Sequence, residues 1–90
     1  MVKYAIYFSK QAQKVKKLLV KIGLQKKVEE ILEIMTNNPH DPTYHYEKLK
    51  YELEGLYSRR INYQHRLVYE VDDQTCEITI HRMWSHYDGL

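Results

Sequence analysis

The chain has 90 residues, with 14 lysines and arginines against 12 acids and a formal net charge of +2. No apolar run approaches the ~20 residues of a membrane span, and the opening Met1-Val2-Lys3-Tyr4-Ala5-Ile6-Tyr7-Phe8 lacks the apolar stretch and small-residue cleavage site of a secretory signal. The lone Cys76 allows no internal disulfide and fits a reducing cytoplasm, while three glycines, two prolines and 43% hydrophobic residues argue against disorder. The length predicts one domain over 1–90. The small net charge hides an asymmetry: residues 1–28 carry eight lysines and no acid, residues 29–54 are acidic on balance, and the rest is nearly neutral.

The first predicted element is a strand from Val2 to Phe8, rich in β-branched and aromatic residues. Ser9 is placed to cap a helix in which Ala12, Val15, Leu18, Leu19 and Ile22 recur at helical spacing, with lysines on the opposite face and Gly23 as the stop. A second helix carries Val28, Ile31, Leu32 and Met35 and ends at Asn37-Asn38-Pro39. The short link makes the two an antiparallel hairpin. Residues 39–46 read as a loop, Glu47 to Leu53 as a short extended stretch, and Gly55 as a turn.

Leu56 to Tyr63 and His65 to Val71 read as a β-hairpin, Asp72-Asp73-Gln74 as a turn, and Thr75 to Trp84 as a last long strand. The order β-α-α-β-β-β predicts an α+β fold, a helical hairpin packed on a mostly antiparallel sheet. A connection over Tyr63 to His65 would set Asn62 opposite Arg66 and Arg60 opposite Val68, with both arginines on the face that the helices leave open. Nine tyrosines suit half-buried packing in a small sheet, and can also stack on bases.

Three residue types could combine into chemistry. Arg66, in mid-strand, offers a planar fork for two phosphate oxygens, or an ion pair with an acid such as Glu70. His86 is solvated on its own account, but an imidazole can deliver a proton to a leaving group near neutrality. Glu47 has neighbours, Lys48 and Lys50, that would explain it as a local ion pair. Together a carboxylate, a guanidinium and an imidazole suffice for metal-free RNA cleavage: a base for the 2′-OH, a cation for the phosphorane and an acid for the departing 5′-oxygen. His40, Asp41 and His45 share a loop without a zinc-like spacing, so no metal and no cofactor is expected. Cys76, in series with Ile78 and Ile80, reads as a buried structural thiol. The lysine-rich first helix is either a solvated face or a surface for RNA.

The run from Glu47-Lys48-Leu49-Lys50 through Leu56-Tyr57-Ser58-Arg59-Arg60-Ile61 to His65-Arg66-Leu67-Val68-Tyr69, with the terminal His86-Tyr87, closely resembles the signature of the Txe/YoeB toxins within the RelE superfamily. The resemblance extends to the order of elements, a RelE-like fold of the microbial-RNase kind. It implies a ribosome-dependent endoribonuclease that cuts mRNA in the A site and inhibits translation. It also implies neutralisation by a YefM-type antitoxin, with operator DNA met only through that complex, and a possible homodimer. By the same resemblance Glu47 would be the general base, Arg66 the phosphate-stabilising cation, His86 the general acid and Tyr87 its companion. Lys50 and Arg60 would contact RNA, and the products would be a 2′,3′-cyclic or 3′-phosphate and a 5′-OH.

The chain departs from the pattern at three places. Tyr46 and Lys48 flank Glu47 where the family often has prolines, which keeps Glu52 and Glu54 open as alternative bases. Tyr57 stands where tryptophan is common, and Asp88-Gly89-Leu90 extends past the usual end. Two other functions use the same scaffold: a non-catalytic toxin of the ParE kind, and a corepressor module that only binds antitoxin.

Overall fold

The computed structural model describes residues 2–62 and 65–85. The elements run β1 (Ala5–Phe8), α1 (Lys10–Lys21), α2 (Gln25–Asn37), β2 (Glu47–Lys48), a 3₁₀ turn (Tyr51–Leu53), β3 (Tyr57–Arg60), β4 (His65–Asp72) and β5 (Glu77–Ser85). The strands form one sheet in the order β1-β5-β4-β3-β2. β1 lies parallel to β5 and every other pairing is antiparallel. The two helices pack on one face, as the hydrophobic periodicity requires.

Ser9 caps α1 as expected: its Oγ accepts from the Ala12 N–H at 3.1 Å. Gly23 ends the helix in the left-handed region at φ 78°, with Leu24 N–H donating to Leu19 C=O at 2.9 Å. The core is assembled from Ala12, Leu19, Val28, Ile31 and Met35 on the helices and Leu67, Tyr69, Ile78 and Ile80 on β4 and β5. Full burial of each large aliphatic contributes roughly 1.5–3 kcal/mol. The stripe predicted for α1 is only partly buried: Ala12 and Leu19 face the core, while Leu18 and Ile22 are 43% and 42% exposed. The Val15 side chain lies outside the described residues.

Four details correct the reading of the sequence. β1 begins at Ala5, after Tyr4 N–H has bonded to Thr36 C=O at the end of α2. The stretch expected to be extended from Glu47 to Leu53 forms only two strand residues before it coils into the 3₁₀ turn, adding a fifth strand at the sheet edge. Cys76 precedes β5 in a left-handed conformation (φ 57°) and is half-exposed, so it belongs to the turn and not to the core. The hairpin register differs by two residues: Arg60 pairs with Arg66 and Ser58 with Val68. Ile61 N–H closes the hairpin on His65 C=O at 2.8 Å, so the connection starts earlier than the sequence implied. A two-residue slip preserves the faces, so the two arginines still share one side.

Candidate active site

The site is built at the β2 edge of the sheet, on the face away from the helices. Directly paired residues on antiparallel strands point the same way, so Glu47 opposite Ser58, and Arg60 opposite Arg66, project to a common side. These four and His45 line one narrow cleft of about 70 Å³. Glu47 Oε2 lies 3.7 Å from Arg66 Nη1; the arginine side chain is 18% exposed and the carboxylate 61%. A pair this open to water is worth only about 0–1 kcal/mol, so it is easily exchanged for a better anion. Two guanidiniums directly opposite one another repel, and the single carboxylate offsets one of them. The cleft is therefore a small cationic socket with a carboxylate at its rim.

The structure separates the three glutamates that the sequence left open. Glu47 shares the cleft with Arg66, Glu52 sits exposed on the 3₁₀ turn, and Glu54 lines a separate hollow with Lys48, Leu49 and Tyr57. Lys50 lines a second groove of about 290 Å³ that contains both Glu47 and Arg66, which places it beside the socket and not inside it. His86 and Tyr87, and the Asp88-Gly89-Leu90 extension, lie outside the described residues. His40, Asp41 and His45 do not form a cation site; among the described residues no group of three or more His, Cys, Asp or Glu side chains does.

The loop that delivers His45 and Glu47 is held by a residue the sequence reading passed over. Arg59 points into the protein and is fully buried. Its Nε donates to Tyr69 Oη at 2.9 Å, its Nη1 to Thr43 C=O at 2.6 Å and its Nη2 to Pro39 C=O at 2.8 Å. The guanidinium also lies 4.9 Å from the Tyr46 ring centroid. A buried charge is costly unless its donors are satisfied, and here two backbone carbonyls, a phenol and a π face replace water. The signal was present in the sequence: Arg59 falls in phase with Tyr57 and Ile61, the inward series of β3.

Aromatic packing completes the support. Tyr46 stacks on Tyr57, and Tyr57 on Tyr69, with centroids 5.6 and 5.9 Å apart. His40 bridges the loop to the β4–β5 turn: Nδ1 lies 2.7 Å from Tyr46 Oη, and Nε2 lies 3.2 Å from both Asp73 oxygens. A carboxylate only accepts, so Nε2 carries the proton. Tyr4 donates to Asp73 Oδ1 at 2.6 Å, which holds the Asp73 carboxyl below its ordinary range, and this bond with the aspartate pushes the Tyr4 phenol up to about 12. Burial pushes the Tyr69 phenol well above the ordinary tyrosine range, against the pull of Arg59. The tyrosines described in this region are framework, in line with packing over base stacking.

Tyr44 and His45, just before β2, both adopt left-handed backbone conformations at φ 58° and 55°. Each costs a side-chain-bearing residue roughly 1–2 kcal/mol. Three contacts hold them: Arg60 N–H donates to Tyr44 C=O at 2.8 Å, Arg59 grips Thr43, and Lys27 Nζ sits 4.8 Å above the Tyr44 ring. Two of the four left-handed non-glycine residues among the described ones thus sit beside the cleft.

Comparison with known proteins fits this arrangement. The chain is 40% identical over 62 residues to the toxin YoeB of Escherichia coli O6:H1, covering 69% of this chain and 71% of that toxin. It is 40% identical to the Staphylococcus aureus YoeB solved in a heterotetrameric YoeB–YefM toxin–antitoxin complex, with a TM-score of 0.79 over 94% of this chain and 99% of that one. The S. aureus YoeB solved as a dimer gives a TM-score of 0.80 at the same identity and coverage. A profile of the YoeB-like toxins of bacterial type II toxin–antitoxin systems matches residues 4–87. With that match spanning the sheet, the helices and the arginine cleft, the chain belongs to the YoeB-like toxin family of type II toxin–antitoxin systems.

Proposed function

We propose that the protein is a ribosome-dependent endoribonuclease that cuts mRNA in the A site by metal-free transesterification. The observation that carries this reading is the Glu47 carboxylate 3.7 Å from Arg66 in a cleft whose other cation, Arg60, pairs directly with Arg66. The scissile phosphate displaces Glu47 from Arg66 and is held between the two guanidiniums. Glu47 then takes the proton of the adjoining 2′-OH, and the oxygen attacks phosphorus in line. Arg66 and Arg60 neutralise the charge that builds on the phosphorane. The P–O5′ bond breaks as His86 donates a proton to the departing oxygen, with Tyr87 beside it. A 2′,3′-cyclic phosphate and a 5′-OH result, and water opens the ring to a 3′-phosphate.

On this reading the ribosome presents and holds the message for a cleft of about 70 Å³. The lysines of residues 1–28 and Lys50 supply the field that favours an RNA-rich surface. The S. aureus relative assembles with YefM and also forms a dimer, which supports a YefM-type antitoxin and a homodimer for this chain. A cytoplasmic site of action, where ribosomes are, follows from the same reading.

The test is single-turnover cleavage of message on programmed ribosomes. Glu47→Ala and Arg66→Ala should each lower the rate at saturation by on the order of 10²-fold or more, the scale of a lost proton transfer or phosphate clamp. Wild-type rates from both variants would refute the assignment.

A further inference from the structure

The cleft is too small for more than a phosphate, and a much larger open groove shares two of its lining residues. That groove, about 730 Å³, is lined among others by Lys27, Tyr44, His45, Arg60 and Asn62. His45 and Arg60 line both spaces, so the groove adjoins the socket.

The chemistry of its lining is that of a nucleotide subsite. Lys27, from α2, and Arg60, from β3, bring two cations from separate elements to suit a phosphate backbone. The imidazole of His45 offers a flat face on which a base can stack. The backbone that carries His45 is the strained segment at φ 58° and 55°, anchored from three directions. Strain held in place by surrounding contacts is expected where a side chain must be presented, and His45 is exposed at the junction of the two cavities. Resting on the reading of the cleft above, we propose that His45 and Lys27 form a subsite for the ribonucleotide next to the scissile phosphate. His45 contacts that nucleotide directly, so it sets affinity and preference for the neighbouring base.

The test measures single-turnover cleavage on programmed ribosomes at increasing toxin concentration, using messages that differ only in the nucleotides flanking the cut. His45→Asn keeps a residue that tolerates the left-handed backbone, and Lys27→Ala removes a helix cation together with its contact on the Tyr44 ring, so its unfolding midpoint is measured alongside. Each should raise the half-saturating concentration by about tenfold, the scale of one lost stacking or phosphate contact, and by more than it lowers the maximal rate. His45→Asn should also flatten the dependence on the flanking base. If both variants keep the wild-type half-saturation and base dependence while Glu47→Ala loses cleavage, the subsite is refuted and the cleft stands. If Glu47→Ala also cleaves normally, the reading of the cleft fails and the subsite falls with it. Should His45→Asn not fold, Lys27→Ala decides alone.

Discussion

Arg59→Ala is the substitution with the largest consequence away from the proposed chemistry. The side chain is fully buried and makes three hydrogen bonds, at 2.6, 2.8 and 2.9 Å, to Thr43 C=O, Pro39 C=O and Tyr69 Oη. Truncation strands three acceptors, each at about 1–3 kcal/mol when no water reaches it. It also leaves a void beneath the stacked Tyr46 and Tyr57 rings. Thr43 is exposed enough for solvent to rescue its carbonyl. The expected loss is therefore about 3–5 kcal/mol, comparable with breaking other buried charge networks. For a domain whose whole stability is ~5–15 kcal/mol, that is about a fifth or more. The assay is urea unfolding followed by circular dichroism, comparing midpoints at unchanged slope. Arg59→Lys reaches fewer acceptors and should fall between, with the loop over 39–46 loosened while the sheet persists. If Arg59→Ala unfolds within 1 kcal/mol of the wild type, Arg59 does not anchor the loop as described.

The remaining expectations concern the titrating network and the turns. The folded pKa of Asp73 lies below its unfolded value, so its contribution is present above the ordinary carboxylate range and is lost as pH falls through the folded value. Asp73→Asn should therefore destabilise the protein at neutral pH, with the difference from wild type closing in an acid titration below pH ~4. Tyr4 and Tyr69 hold their protons above the ordinary value of 10, so the stability they confer is complete below pH ~10 and declines as pH climbs towards 12. An absorbance titration should show these two ionising after the exposed tyrosines, and Tyr69→Phe should remove part of the late phase. Gly55 sits at φ 94° with nothing within 4 Å of a Cβ built there, so Gly55→Ala should cost about 1–2 kcal/mol by backbone strain alone, measurable as a lower thermal midpoint. Ile31→Ala, in the fully buried core, should cost about 2–5 kcal/mol in the same assay.

Much of the fold was legible because periodicity is a local property. Val28, Ile31 and Met35 mark the buried face of α2, and Leu67 and Tyr69 the inward face of β4, with no knowledge of their partners. Leu18 and Ile22 show the limit: they share the helical spacing, but burial depends on how the helix is turned on the sheet, which no local pattern gives. The pairing of Arg60 with Arg66 was legible only as a shared face, because where the hairpin closes depends on the loop's own bonds, here Ile61 to His65 and Asn62 Oδ1 to His65 N–H at 2.7 Å. Glu47 was legible by resemblance, and its separation from Glu52 and Glu54 needed the short β2 pairing with β3. The strain at Tyr44 and His45 had little local signal, since tyrosine rarely adopts the left-handed region and distant contacts hold both residues there.

The central claim is that a ribose 2′-oxygen attacks phosphorus under the control of Glu47, Arg66 and Arg60. The most direct measurement places a single 2′-deoxy nucleotide at the cut position of a message on programmed ribosomes and maps both new ends. The account predicts no cleavage at that position, while the unmodified message yields a 2′,3′-cyclic or 3′-phosphate upstream and a 5′-OH downstream. Cleavage of the deoxy position at the wild-type rate, or a 5′-phosphate on the downstream fragment, would contradict it.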